Sequence, residues 1–208
     1  MDIKLTKAEK IKILNAFDIY GIMQRILLRE DKIDQDREHF WVIGLANNNR
    51  ILFIELISLG TVNRALAEPM EVFSLALQKR AVKIILCHNH PSGELVPTEV
   101  DKDITDRLIQ VGIIVNTEVL DHLIITTESY VSFKNMGLME ELAESTQYVP
   151  NYVLKERYKK EAAAMAERKR EIEIARQLKA NGVDVETIAN STGLTVEEVK
   201  KLRGKRGK

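Results

Sequence analysis

Several things are scarce in this sequence, and each absence narrows what the chain can be. It has one cysteine, Cys87, so no intrachain disulfide can form, which suits a reducing cytosol. The N-terminal stretch MDIKLTKAEKIKIL carries no apolar core of the signal-peptide kind. No run of residues is long and apolar enough to span a bilayer. The expectation is a soluble, cytoplasmic protein. Net charge is also missing, since 31 Lys and Arg are matched by 31 Asp and Glu. No internal repeat, low-complexity segment or phosphate-cradling glycine loop is present.

What is present suggests one ordinary domain plus an appendage. The chain has 208 residues, of which 45% are hydrophobic, enough for a sizeable core. The zero net charge hides an asymmetry. From residue 151 onward there are 15 Lys and Arg against 9 Asp and Glu, leaving 16 against 22 in the first 150 residues. An acidic body with a basic tail points to two modules with different partners. We expect an N-terminal helical segment over 1–32, an α/β domain over 33–145 and a helical, basic module over 151–208.

Periodicity supplies the elements. The opening 30 residues read as helix, with a capping-box pattern at Thr6-x-x-Glu9 and apolar Ile19, Ile22, Met23, Ile26 and Leu27 at helical spacing. Phe40 to Leu45 and Ile51 to Leu59 read as two strands joined by the turn Ala46-Asn47-Asn48-Asn49-Arg50. Gly60-Thr61-Val62-Asn63 reads as a loop, and Pro69 opens a helix to about Arg80. Val82 to Cys87 is a buried strand. Thr98 to Val111 is a helix stopped at Gly112, and Ile114 to Leu120 and Leu123 to Thr127 are further strands. Helices around a mixed sheet give an α/β sandwich.

The stretch HNHPSGELVPTEVD, residues 88–101, carries the chemistry. His88 and His90 are two apart at the end of an apolar strand, so an extended backbone points both to one side. Asn89 points the other way and can bond the backbone of the loop. Pro91 and Gly93 force a turn, and Thr98 is placed to cap a helix whose first turn carries Asp101. Two imidazoles and a carboxylate are the protein ligand set of a catalytic zinc site, with the fourth position left to water. An isolated His-X-His is common without metal; the strand, the turn and the returning carboxylate raise its meaning. Cys87 lies on the opposite face and reads as a small buried hydrophobe.

The pattern His-X-His-Pro, six residues, Ser or Thr, two residues, Asp resembles the JAMM signature of JAB/MPN metallopeptidases. With HNHPSG come Pro97-Thr98-x-x-Asp101, Val119-Leu120-Asp121-His122-Leu123-Ile124-Ile125, Tyr130-Val131-Ser132-Phe133 and Gly137-Leu138. That fuller string resembles the RadC-like branch from about Glu38 to Met139. The resemblance implies a cytidine-deaminase-like JAB/MPN mixed-sheet sandwich. It implies zinc at His88, His90 and Asp101, and a general acid/base glutamate just ahead of the first core strand, here Glu38. It also implies an oxyanion-assisting hydroxyl at Thr98, where the family usually has Ser. Glu55, on the strand Ile51 to Leu59, is a competing carboxylate. Asp121-His122 reads as supporting structure, His39 lies on the other face from Glu38, and Ser92 is either near substrate or a turn residue. Full-length RadC-like proteins usually carry a larger helical region ahead of this domain. A chain of 208 residues is expected to be too short for it, so its DNA contacts do not carry over.

Beyond Val149-Pro150-Asn151, Lys155 to Ala180 reads as one long helix ending at Asn181-Gly182. VETIANSTGLTVEEVKKL, residues 185–202, then has the apolar spacing and glycine turn of a helix-turn-helix, with Thr195-x-x-Glu198 as a second capping box. The end KKLRGKRGK offers charge for phosphates, but Glu197 and Glu198 sit on the second helix. DNA contact, homo-oligomer formation and a passive tail all stay open. Three functions follow: a zinc metallohydrolase acting on an amide or isopeptide bond of a protein or peptide, a factor associated with DNA and its repair, or a non-catalytic JAB scaffold.

Overall fold

A computed structural model describes residues 12–60 and 67–202. Its elements run α1 (Ala16–Leu27), α2 (Lys32–Gln35), β1 (His39–Leu45), β2 (Ile51–Leu59), α3 (Pro69–Gln78), β3 (Lys83–Asn89), α4 (Glu99–Ile114), β4 (Glu118–Ile125), β5 (Tyr130–Ser132), α5 (Leu138–Glu144), α6 (Asn151–Ala180), α7 (Val185–Thr192) and α8 (Val196–Lys201). The chain divides into two units, residues 1–149 and 150–208.

In the first unit the five strands form one mixed sheet in the order β2-β1-β3-β4-β5. Only β3 and β4 run parallel, with α4 in their crossover. Two apolar layers cover the sheet. On one face Ile19, Ile22, Met23, Ile26 and Leu27 of α1 pack with Trp41, Ile43, Cys87 and Leu123. On the other, Val72, Phe73 and Ala76 of α3 and Leu108 and Ile109 of α4 pack with Val42, Ile84, Leu86 and Ile124. The α/β sandwich expected from periodicity is the observed fold.

The N-terminal cap of α1 is Asn15, in a reciprocal box with Asp18; Thr6 and Glu9 lie outside the described residues, as do residues 61–63 of the loop expected after Gly60. The β1–β2 turn closes through Ala46 and Arg50, with Asn49 in the left-handed region at φ 62°, which a short amide side chain tolerates. Within β1, Gly44 faces Phe53, whose ring lies where a β-carbon would sit, 1.9 Å away. A glycine inside a strand here marks close approach of a neighbour.

Three expected boundaries are corrected. The helix expected over the opening 30 residues begins, among the described residues, only at Ala16, and Lys12 instead bridges to Arg50 in the β1–β2 turn. α4 does not stop at Gly112 but runs to Ile114. The stop is Asn116 at φ 54°, after which Thr117 N–H returns to the Gly112 carbonyl at 2.9 Å, a Schellman-type closure. Gly112 serves the close return of the chain, since a β-carbon there would meet Thr117 O at 2.5 Å. In addition, the two strands expected over 114–127 are one, β4, and Asp121-His122 lies inside it. The β3–β4 register skips Leu120, pairing Ile84 with Val119 but Ile85 with Asp121. That bulge changes the alternation, so Val119 and His122 both face the α4 side.

In the second unit, Ala175 of α6 packs with Ile188, Ala189, Leu194 and Val199. Gly193 at φ 71° makes the turn between α7 and α8, and Thr195 and Glu198 form the expected capping box. The ammonium of Lys179 donates to the carbonyls of Val199, Lys200 and Leu202 at 2.8–2.9 Å, closing the C-terminal end of α8. Arg168 pairs with Glu171 and Glu198. Among the described residues, no helix is long and apolar enough to cross a membrane.

Candidate metal centre

Three elements meet at the C-terminal end of β3. His88 is the penultimate residue of that strand, His90 follows its end, and Asp101 stands in the first turn of α4. His88 Nε2 lies 3.0 Å from His90 Nε2 and 3.3 Å from Asp101 Oδ1; His90 Nε2 lies 3.6 Å from Asp101 Oδ2. One donor atom from each residue falls within 4.8 Å of the others, so the group could hold a metal ion. Donors about 2.0–2.1 Å from a tetrahedral zinc stand roughly 3.3 Å apart, which matches.

The chemistry of the donors fits as well. His90 Nδ1 lies 2.7 Å from the Glu94 carbonyl, which only accepts, so in the neutral ring Nδ1 carries the proton and Nε2 is bare. Asp101 accepts the Thr98 N–H and hydroxyl at 2.7 Å each, both on Oδ2. Electron pairs thus converge on a cation's position. Burial pushes His88 down to about 4, only partly opposed by Asp101, so its ring is neutral at pH 7. Burial also pulls on His90, but the Asp101 carboxylate, the Glu94 carbonyl and the Glu38 charge outweigh it and raise His90 above its ordinary value. Burial pushes Asp101 up; His90, His88 and Thr98 more than reverse this and hold it far below the carboxylate range.

The sheet places Glu38 beside this group. Phe40 pairs with His88 and Trp41 with Cys87 in antiparallel β1 and β3. Glu38 lies just ahead of β1, two residues before the last β1–β3 pair, and its charge acts on His90. Glu55 pairs with Val42 on β2, so β1 stands between it and β3. His39 turns to the other face, where its ring stacks on Trp41 at 4.9 Å. Thr98 caps α4 and orients Asp101. The Ser92 hydroxyl accepts from Glu94 N–H within the turn. Cys87 lies buried in the α1-side core, where burial raises its thiol.

Two comparisons bear on this geometry. A RadC-like JAB domain matches residues 16–138. The chain belongs to the RadC-like JAB family. Among its relatives, a UPF0758 protein of Desulforamulus reducens is 43% identical over 113 residues, covering 54% of this chain and 50% of that protein. Another, of Chlorobium chlorochromatii, is 38% identical over 128 residues, 62% of this chain and 55% of that protein. This RadC-like chain therefore spans about half the length of the curated relatives it matches. Residues 168–204 match the C-terminal HTH domain of the Rpn/YhgA-like nuclease family, over the same α7–α8 turn that the apolar spacing marks.

Around the RadC-like site, two contacts were not legible in the sequence. Asn89 does point away from the histidines, but its amide reaches the segment before β1 and not its own loop. Asn89 Oδ1 accepts His39 N–H at 2.7 Å and Nδ2 donates to Arg37 O at 3.0 Å, bracketing Glu38. Thr105 is the other; its one sequence signal is its place four residues after Asp101, on the same helix face. Its hydroxyl donates to Asp101 O and lies 2.7 Å from His122 Nδ1. Asp121 accepts Ser132 Oγ at 2.6 Å and the N–H groups of His122 and Lys134, fixing the β4–β5 corner.

Proposed function

We propose that this RadC-like JAB protein is a zinc-dependent hydrolase of an amide or isopeptide bond in a protein or peptide, working in the cytoplasm. The observation that carries this reading is the convergence of His88 Nε2, His90 Nε2 and the Asp101 carboxylate, with the charge of Glu38 acting on His90. His88, His90 and Asp101 would hold the zinc, which when bound would make a water more acidic, with a pKa of roughly 7, and polarise a substrate carbonyl. Glu38 takes the proton of the attacking water and returns it to the leaving amine. Asn89 holds the backbone on both sides of Glu38, which fixes where its side chain starts. The Thr98 hydroxyl has one proton, which it directs to Asp101; its help to an oxyanion comes when that bond swings to the substrate.

Elemental analysis beside an untargeted peptide-cleavage assay read by mass spectrometry tests the reading. Wild type is expected to hold about one zinc per chain, as a three-ligand site does, and His88→Ala and Asp101→Ala to hold none while staying folded. Glu38→Gln should keep zinc and lose cleavage. A folded wild type that takes up no zinc on reconstitution would sink the hydrolase reading.

The match at residues 168–204 favours a second role, in which the C-terminal module holds DNA and so brings the hydrolase to DNA-bound proteins. Removal of residues 151–208 should then abolish a DNA affinity that falls steeply with salt; self-association through this module would appear instead as a loss of dimer.

A further inference from the structure

Metal binding through His88 Nε2 requires that Nδ1 carry the ring proton, and among the described residues no carbonyl is its partner to enforce this. Its Nδ1 lies 2.7 Å from Nε2 of His122. His122 Nδ1 in turn lies 2.7 Å from Thr105 Oγ1, and the Thr105 hydroxyl donates to the Asp101 main-chain carbonyl. That carbonyl sets the direction of every link. It only accepts, so the Thr105 proton points at it, and the Thr105 lone pair accepts from His122 Nδ1–H. His122 Nε2 is then left as an acceptor and takes the proton of His88 Nδ1–H. His88 Nε2 faces His90 and Asp101 with its lone pair bare.

We propose that Thr105 and His122 are positioning residues that lock His88 in the Nδ1–H tautomer and so keep its Nε2 presented to a divalent cation. The proposal rests on the metal reading of His88, His90 and Asp101. His88, His122 and Thr105 are all at most 1% exposed, so water cannot stand in for a missing member of the chain. The chain ends on the backbone of Asp101, which joins the tip of β3 to the start of α4 through the two residues that supply donors. The bulge at Leu120 turns His122 to that face. A neutral imidazole behind the ligand fixes its tautomer without adding a second negative charge beside Asp101, whereas the commoner carboxylate partner would.

Two measurements test it. The first reads the imidazole tautomers of the metal-free protein by nitrogen-15 NMR. His88 and His122 are both expected as Nδ1–H in wild type and in Thr105→Ser, with His88 losing its single tautomer in Thr105→Val. A wild-type His88 in the Nε2–H form overturns the proposal whether or not metal binds. The second is zinc affinity by chelator competition, beside thermal unfolding of the metal-free variants. Thr105→Val is expected to lose about 10–100-fold in affinity, the usual range for a partner of a ligating histidine, while Thr105→Ser stays near wild type. His122→Gln can accept from His88 and donate to Thr105, so it should hold zinc better than His122→Leu. Wild-type affinity in a folded Thr105→Val overturns the proposal, and so does an equal loss in Thr105→Ser and Thr105→Val. The metal reading itself fails separately, when wild type binds zinc no better than His88→Ala.

Discussion

Two buried threonines, one in each unit, make the same local bond and serve different ends. Thr105 on α4 and Thr192 on α7 each donate a hydroxyl proton to the carbonyl four residues earlier, Asp101 and Ile188. On α4 the other side of that hydroxyl meets His122, and the chain continues to His88. On α7 the surroundings are the small apolar cluster of Ile188, Ala189, Leu194 and Val199. A local side-chain bond is common in helices and carries little information alone. Its meaning comes from what the tertiary structure sets against it. The site end of the sheet buries His88, Asn89, Asp101, Thr105, Asp121, His122 and Ser132, a costly arrangement unless every group has its partner. Thr192 is the one buried polar residue described in the second unit, which is held by apolar contact inside and ion pairs outside.

The comparison is broken most severely by Ile188→Ala. Truncating a fully buried isoleucine costs about 2–5 kcal/mol, and the cluster it belongs to is small. Loss of helical circular dichroism at lower temperature should appear without change in the fluorescence of Trp41, the chain's single tryptophan, which is buried in the first unit. Next comes Lys179→Met, which leaves three carbonyls at the end of α8 without their ammonium and should cost about 1–2 kcal/mol, below the full value for charged hydrogen bonds because Lys179 is half-exposed. The same transition should weaken in acid. The Thr195 N–H, Arg168 and the Thr195 hydroxyl hold the Glu198 carboxyl down to about 2 from 4.5. A depressed carboxylate stabilises the fold above its unfolded value, so this contribution is complete above pH 4.5 and fades as the pH falls toward 2. A pH titration of the melting temperature, shallower in Glu198→Gln over that window, checks it, the remaining slope including Asp184, whose carboxyl Thr187 also holds down. The smallest effect is expected for Thr192→Val, under about 1 kcal/mol, with zinc affinity unchanged. Thr105→Val, the same chemical change, should instead be read out in zinc affinity. Equal behaviour of the two threonine variants would erase the distinction.

Much of the site was legible because its signals are local. The period of two carries His88 and His90 to one side of β3 and Asn89 to the other, and the cap at Thr98 puts Asp101 in the first turn of α4. The helical spacing of α1 and the runs of β1 and β2 read correctly for the same reason. Where the reading failed, two local signals competed. Gly112 looked like a helix stop, but Asn116 reaches the left-handed region too, and Gly112 answers a close approach of the returning chain. Asp121-His122 looked like a break between strands because charged and aromatic polar residues interrupt the apolar pattern. The bulge at Leu120 keeps β4 continuous while exchanging which residues face the core.

By itself, then, the sequence determined α1, α3 and α4 and the strands β1, β2 and β3 of the sandwich, the membership in the RadC-like JAB family, and which three side chains could ligate a metal, while α5 and β5 went unread. These depend on spacing within a few residues, which the backbone geometry of a strand or a helix start converts directly into direction. Only the tertiary structure decided that the charge of Glu38 acts on His90, 52 residues away in sequence, that Asn89 brackets Glu38, and that Thr105 and His122 stand behind His88. Those relations follow from strand order, register and a single bulge, which are settled by burying both faces of the sheet at once and leave no trace in local spacing.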